Sequence, residues 1–522
     1  MSHTRNSRRE FLNKLCCLAA SGGAAAMIPQ LRMMGTALAS SNTANALTGY
    51  KALVCVYLNG GNDSWNLLVP NDTTRFNVYS AARSGTYNAQ SNGGGLGLSL
   101  PSGSTQINAQ VVTDLNDLNL STQKYFLHPN LTSVNTAFPT GTPSLKDLFT
   151  QGHLAFAVNV GTLVKPIDMT AYKANSLNHP PQLFSHADQT AQWHQANTSA
   201  STATGWGGLV SEKLSSAYGA NLTSNPTLPL AISIAGANRF EVGSSTVPYQ
   251  MSTNGLNALS GVCNPSCTST TTSSARDSAL NDLLGQTYAS DFAGEFSKVF
   301  NSGRDLYGKI GPDVPPLSNS YVPGNTWPTG GLASSLASQL KTVATMINLS
   351  KTRGYASRQI FFVQLGGFDM HSGFQNAGNG HNALLGQVAA ALNAFWTAMG
   401  PTYVNAQNEV TAFTVSDFAR TLQSNGAGSD HGWGSMQMVL GGAVHGGKLY
   451  SQGDVISGFP NQAYGAATNP NPNSFSRGQV IPGLGVEQYA ATLAQWLGLS
   501  VSDCLTIFPN LHNFSNKNLG FV

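Results

Sequence analysis

The feature that most constrains the fold of this 522-residue chain is a run of seven residues, Ala52 to Leu58 (ALVCVYL), which is almost wholly apolar and stops at Asn59-Gly60-Gly61. A strand with one wet face alternates apolar and polar residues, so an unbroken apolar run predicts a strand buried on both faces, as in a parallel sheet. Similar runs occur at Leu154 to Val160, Leu230 to Ile234, Gln359 to Leu365, Val410 to Val415 and Met436 to Leu440. Helical periodicity falls between several of them. Leu332, Leu336, Leu340, Val343 and Ile347 mark one helix face, and Leu384, Leu385, Val388, Leu392, Phe395 and Met399 mark another. Strand alternating with helix predicts an α/β fold, a doubly wound and mostly parallel sheet that binds ligands at the carboxyl ends of its strands. Two regions break the rhythm, around 84–110 and 238–328. Both are rich in Gly, Ser, Thr, Asn and Pro, and are read as long loop or cap insertions in a single domain covering residues 40–522.

Residues 1–39 read as an export leader. Ser7-Arg8-Arg9-Glu10-Phe11-Leu12 pairs two arginines ahead of an apolar stretch from Leu15 to Pro29, and Ala37-Leu38-Ala39 supplies a small-x-small cleavage pattern. This layout predicts a twin-arginine signal, passage through the twin-arginine translocase, and a working form in the bacterial periplasm or medium. The apolar stretch is too short and too rich in Ala, Gly and Ser for a stable membrane anchor. The leader also holds five of the 26 basic residues and one of the 23 acidic ones, so the remainder is within one charge of neutral. A neutral body lacks the counterion-release drive for nucleic acid. With only 9% of residues charged, Ser, Thr, Asn and Gln must cover much of the surface. Cys55 lies inside an apolar run and is expected to be buried, while Cys263 and Cys267, four apart in a Ser/Thr-rich stretch, could close a small disulfide.

Acidic residues and histidines gather just after the expected strands. Asp63 follows the first in Gly60-Gly61-Asn62-Asp63, Asp369 and His371 follow another in Gly366-Gly367-Phe368-Asp369-Met370-His371, Asp417 ends a third, and Asp430-His431 lie in a Gly-rich loop. Carboxylates that neutralise a dication and imidazoles that fix geometry are what a one- or two-metal hydrolytic site needs, so these six residues are the expected ligands of one or two divalent ions, Zn or Mn. Asp369 and His371, two apart in extended chain, project to the same side. Taken alone, Gly60-Gly61-Asn62-Asp63 is more often a turn than a ligand loop, since Asn and Asp favour turns, and Asp430-His431 beside Gly432 could be a solvated loop. Arg420, expected one turn into a helix after Asp417, is a candidate for binding a substrate anion or for a surface ion pair.

The segments VCVYLNGGNDSWNLLVP, FSHADQTAQWH, QLGGFDMHSGF, FTVSDFARTLQSNGAGSDHGWG and GGAVHGGKLY resemble, in order, the signatures of domain-of-unknown-function family 1501. Those are twin-arginine-exported bacterial proteins of the alkaline phosphatase and sulfatase superfamily. The resemblance implies an alkaline phosphatase-like sheet, Asp63 as the first-strand aspartate, Ser185 as the nucleophile, and Asp369, His371 and His431 in one metal site with Asp417 in the other. Phe418 follows Asp417 where the superfamily commonly has a ligand histidine. Ser185 lacks the C/S-x-P-x-R continuation of sulfatases, and Cys263-Asn-Pro-Ser-Cys267 ends in Cys instead of Arg. Neither a G-x-S-x-G elbow nor an H-E-x-x-H motif is present. The expected activity is metal-dependent hydrolysis of phosphate esters or similar anions, on a small or polymeric anionic substrate. The rival expectation is a secreted, non-catalytic binding or scaffold protein that keeps the fold.

Overall fold

The computed structural model describes residues 47–71, 73–83, 87–88, 93–98, 106–112, 121–134, 138, 140–198, 202–218, 228–245, 248–253, 255, 261, 272–311, 327, 334–451 and 473–522. The leader and the Cys263/Cys267 pair lie outside them. The strands are β1 (Lys51–Leu58), β2 (Leu68–Pro70), β3 (Tyr87–Asn88), β4 (Gly93–Gly94), β5 (Gln106–Val112), β6 (Ser121–Leu127), β7 (Leu154–Gly161) and β8 (Ala231–Ser233). They continue with β9 (Tyr249–Gln250), β10 (Arg358–Leu365), β11 (Val410–Ser416), β12 (Arg420–Ser424), β13 (Ser429–His431), β14 (Ser435–Gly441), β15 (Lys448–Tyr450) and β16 (Leu484–Gly485). One large sheet has the order β2-β6-β5-β15-β7-β14-β11-β1-β10-β8-β9, with β16 beside β7. All six apolar runs of the sequence are strands of this sheet.

The sheet is mostly parallel but mixed. β1 runs parallel to β10 on one side and β11 on the other. β14 is antiparallel between β11 and β7, and β6 is antiparallel to β5 and β2. Successive β1 side chains feed opposite cores, as the pleat requires. Ala52, Val54, Val56 and Leu58 pack with α2 (Ser335–Arg353) and α3 (His381–Ala398), while Leu53, Cys55 and Tyr57 pack with α4 (Val486–Leu497) and with Trp193 of α1 (His186–Gln195). Cys55 is fully buried, as its apolar run predicts. Helices thus cover both faces, which makes the chain an α/β protein built on a large, mostly parallel sheet. α2 starts where the Ser334 side chain accepts from the amide of Ala337, and stops at Gly354, which takes a left-handed φ of 67°.

The region around 84–110 is less of an insertion than its composition suggests. β5 begins there and joins the main sheet, pairing with β6 and β15. The described part of 238–328 holds two helices, Thr272–Leu284 and Asp291–Ile310. The described helices include none long and apolar enough to cross a membrane.

Candidate metal centre

Three adjacent parallel strands, β11, β1 and β10, end side by side, so the loops leaving their carboxyl ends meet. At Gly60 they touch. Its φ is 117°, and a Cβ there would lie 2.4 Å from the Asp369 amide nitrogen, so glycine is required for the loops after β1 and β10 to close on each other. The contact is stitched by Asn59 N to Leu365 O at 2.9 Å and Phe368 N to Asn59 O at 3.2 Å. A fourth segment arrives from outside the sheet, where Ser185 caps α1 and starts that helix at His186.

The result is a group of three imidazoles around one carboxylate. His186, Asp369 and His431 offer ligand atoms that all lie within 4.8 Å of one another. His371 joins them, its Nε2 3.4 Å from Asp369 Oδ1 and 2.8 Å from His431 Nε2. Phe418 lies beneath, fully buried, with ring centroids 4.6 Å from His186 and 4.5 Å from His431. The side chains of Asp369 and His371 are 51% and 47% exposed, so the group opens to solvent.

Each imidazole is oriented by an oxygen at its Nδ1. His186 Nδ1 lies 2.6 Å from Asp417 Oδ2, His371 Nδ1 2.8 Å from Asp430 Oδ1, and His431 Nδ1 2.6 Å from the Phe184 carbonyl. A carboxylate or carbonyl can only accept, so Nδ1 carries a proton in all three rings, and in the neutral ring Nε2 is left as a lone pair. All three Nε2 atoms face Asp369. The 2.8 Å contact between the Nε2 atoms of His371 and His431 therefore sets two lone pairs against each other unless a proton or a cation lies with them.

The remaining aspartates serve as supports. Asp417 is buried, and its Oδ1 accepts from Tyr57 Oη at 2.7 Å and from the Gly60 amide at 3.1 Å. Burial opposes its ionisation, but the hydrogen bonds from His186, Tyr57 and Gly60 outweigh this and hold its carboxyl below the usual range. The bond to Asp417 in turn raises the pKa of His186, whereas burial lowers that of His431. Asp430 accepts from His371 and Asn425 on Oδ1 and pairs with Arg477 on Oδ2.

Several sequence expectations change accordingly. Asp63 does not face the group: it is buried against Arg83 Nη2 at 2.6 Å and accepts from Ser429 Oγ at 3.0 Å. Asp417 and Asp430 stand behind His186 and His371, so neither reaches the point where the Nε2 atoms converge. Arg420 begins β12 instead of a helix, and its side chain is fully buried. Its guanidinium donates to Gly61 O at 2.8 Å, Ser429 O at 3.0 Å, Phe368 O at 3.1 Å, Asp369 Oδ1 at 2.7 Å and also Gly60 O, and its complete burial among these partners keeps it from a substrate. Ser185 Oγ is committed to the α1 cap, donating to Asp188 Oδ2 at 2.6 Å. His186 is the residue the pattern of acids and histidines after strands missed. Ser185 followed three residues later by Asp188 is a helix-start pattern that places His186 at the first position of α1.

No curated protein and no solved structure matches the chain. Residues 348–471, which carry Asp369, His371, Asp417, Arg420, Asp430 and His431, match the model of the family described as a protein of unknown function (DUF1501).

Proposed function

We propose that this chain is an exported, metal-dependent hydrolase of phosphate esters or similar anionic esters, with one divalent ion held by His186, Asp369 and His431 and flanked by His371. The observation that carries the reading is the shared tautomer: three Nδ1 atoms anchored on oxygen leave three Nε2 lone pairs aimed at one carboxylate, the outer-shell arrangement typical of histidine ligands. A nitrogen-rich set with one carboxylate suits Zn, Mn or Fe better than Mg or Ca. When bound, such an ion supplies Lewis acidity toward an anionic ester and lowers the pKa of water. The protein's own contribution is positional. Asp417 and Asp430 fix two rings, the Phe184 carbonyl fixes the third, Arg420 holds Asp369 from behind, and Phe418 closes the floor to water. The half-exposed Asp369 leaves the open side a substrate needs.

Elemental analysis of the purified processed chain should find about one transition-metal ion, lost in Asp369→Ala and in His431→Ala. Added Zn or Mn at a hundredfold excess over Kd should stabilise the wild type by about 2.7 kcal/mol. A metal-free protein whose melting is indifferent to both ions rejects the site. Bound metal without turnover of aryl phosphate monoesters, diesters or sulfate esters moves the assignment to the non-catalytic binding reading.

The export part of the proposal rests on the leader. Replacing Arg8 and Arg9 together by Lys should leave precursor in the cytoplasm, because the paired arginines are what the twin-arginine machinery reads. Normal processing and periplasmic recovery of that variant would remove this part.

A further inference from the structure

Arg420 was the cation expected to meet a substrate anion, and it is sealed inside the loops. A second arginine stands where the first does not. Arg477 lies in a tight hairpin turn, bridged between Ser474 and Val480 and closed by Gly478 N to Phe475 O at 2.9 Å. This turn is docked against β12 by Leu422 N to Gly478 O at 3.3 Å and Gln423 N to Arg477 O at 3.2 Å. Gly478 permits that approach: its φ is 86°, and a Cβ there would sit 2.7 Å from the Leu422 Cβ. The backbone beneath Arg477 is therefore fixed.

The side chain is 44% exposed and pairs through Nη2 with Asp430 Oδ2, while Asp430 Oδ1 takes His371 Nδ1. The guanidinium is thus set back from the converging Nε2 atoms, along the hydrogen-bonded chain, by one carboxylate and one imidazole. Apart from Asp430 it has no hydrogen-bond partner among the described residues, so Nη1 and Nε remain as donors beside an open rim. A planar fork with two donors in hand is suited to carboxylate or phosphate.

We propose that Arg477 is an anion-binding residue of this site, and that the substrate is a phosphate ester carrying a second anionic group, which Arg477 takes while the ester lies at the histidines. This rests on the metal-site reading above for the position of the ester. The rim acids Asp369 and Asp430 would otherwise repel such a substrate, and Arg477 offsets one of them at the place where the second group lies.

The test uses non-hydrolysable phosphonates and the metal-loaded processed chain. Phenylphosphonate carries one anionic group, and 3- and 4-phosphonobenzoate carry two. By calorimetry the tighter phosphonobenzoate should bind the wild type roughly tenfold better than phenylphosphonate. Arg477→Gln should erase that preference while changing phenylphosphonate affinity by less than about threefold, and Arg477→Lys should keep part of it. A wild type without preference overturns the proposal. So does an equal loss for both ligand types in Arg477→Gln, the result expected if Arg477 merely steadies Asp430 and His371. Metal content measured on the same samples separates the two readings: absent metal rejects the site beneath, whereas a metal-bearing protein without preference rejects Arg477 alone.

Discussion

Arg420→Ala is expected to lower stability by about 3–5 kcal/mol and to abolish metal binding in the protein that still folds. The side chain is fully buried and joins four segments that are remote in sequence: the loop after β1 through Gly60 and Gly61, the loop after β10 through Phe368 and Asp369, the start of β13 through Ser429, and β12 itself. Alanine leaves four carbonyl oxygens without their donor, opens a cavity the size of a guanidinium, and frees Asp369 to swing away from the histidines. Lysine should recover little of this, because one ammonium cannot reach carbonyls on several sides as a planar fork does. Urea unfolding of wild type, Arg420→Ala and Arg420→Lys, followed by metal analysis, checks both parts. A loss below about 1 kcal/mol with metal retained would show that the loops hold their positions without the guanidinium.

The sheet was legible wherever burial on both faces forced an unbroken apolar run, which is why β1, β7, β10, β11 and β14 stand within a residue or two of their expected bounds. The edge was not. β5 (QINAQVV) and β6 (STQKYFL) intersperse polar residues among apolar ones, and β5 begins in a tract whose Gly, Ser and Asn content reads as loop. The site divides in a similar way. Residue type and position after a strand pointed to Asp369 and His371, and a Gly-rich loop to His431, because the loops at adjacent parallel strand ends must meet. The same rule could not separate Asp369 from Asp63, Asp417 or Asp430. Those three turn inward or behind a ring because of partners elsewhere in the chain: Arg83 for Asp63, Tyr57 and His186 for Asp417, His371 and Asn425 for Asp430. Arg420 was misread for a related reason. A helix is expected after a strand of an alternating α/β chain, but Gly428 lets the β12–β13 hairpin pass close to Met370, where a Cβ would fall 2.1 Å from its carbonyl oxygen.

Asp63→Ala tests that separation directly, with an expected loss of about 3–5 kcal/mol and no change in metal per folded chain. Asp63 and Arg83 form a 2.6 Å pair with side chains 2% and 0% exposed, so removing the carboxylate strands a guanidinium in the interior. The weak contacts that remain, to Thr421 O and Leu422 O at 3.3 Å and to the Phe374 ring, do not neutralise it. If the penalty is the stranded charge, Arg83→Met in the Asp63→Ala background should restore a large part of the loss, since apolar replacement of a whole buried pair is often close to neutral. The coupling from the complete cycle should then be well above 1 kcal/mol. A metal ligand behaves in the opposite way: its loss removes the ion, and no second substitution at Arg83 returns it. Stability restored by Arg83→Met with metal bound throughout would establish Asp63 as a support of the β1 loop, whereas metal lost in Asp63→Ala and still absent in the double variant would return Asp63 to the ligand set.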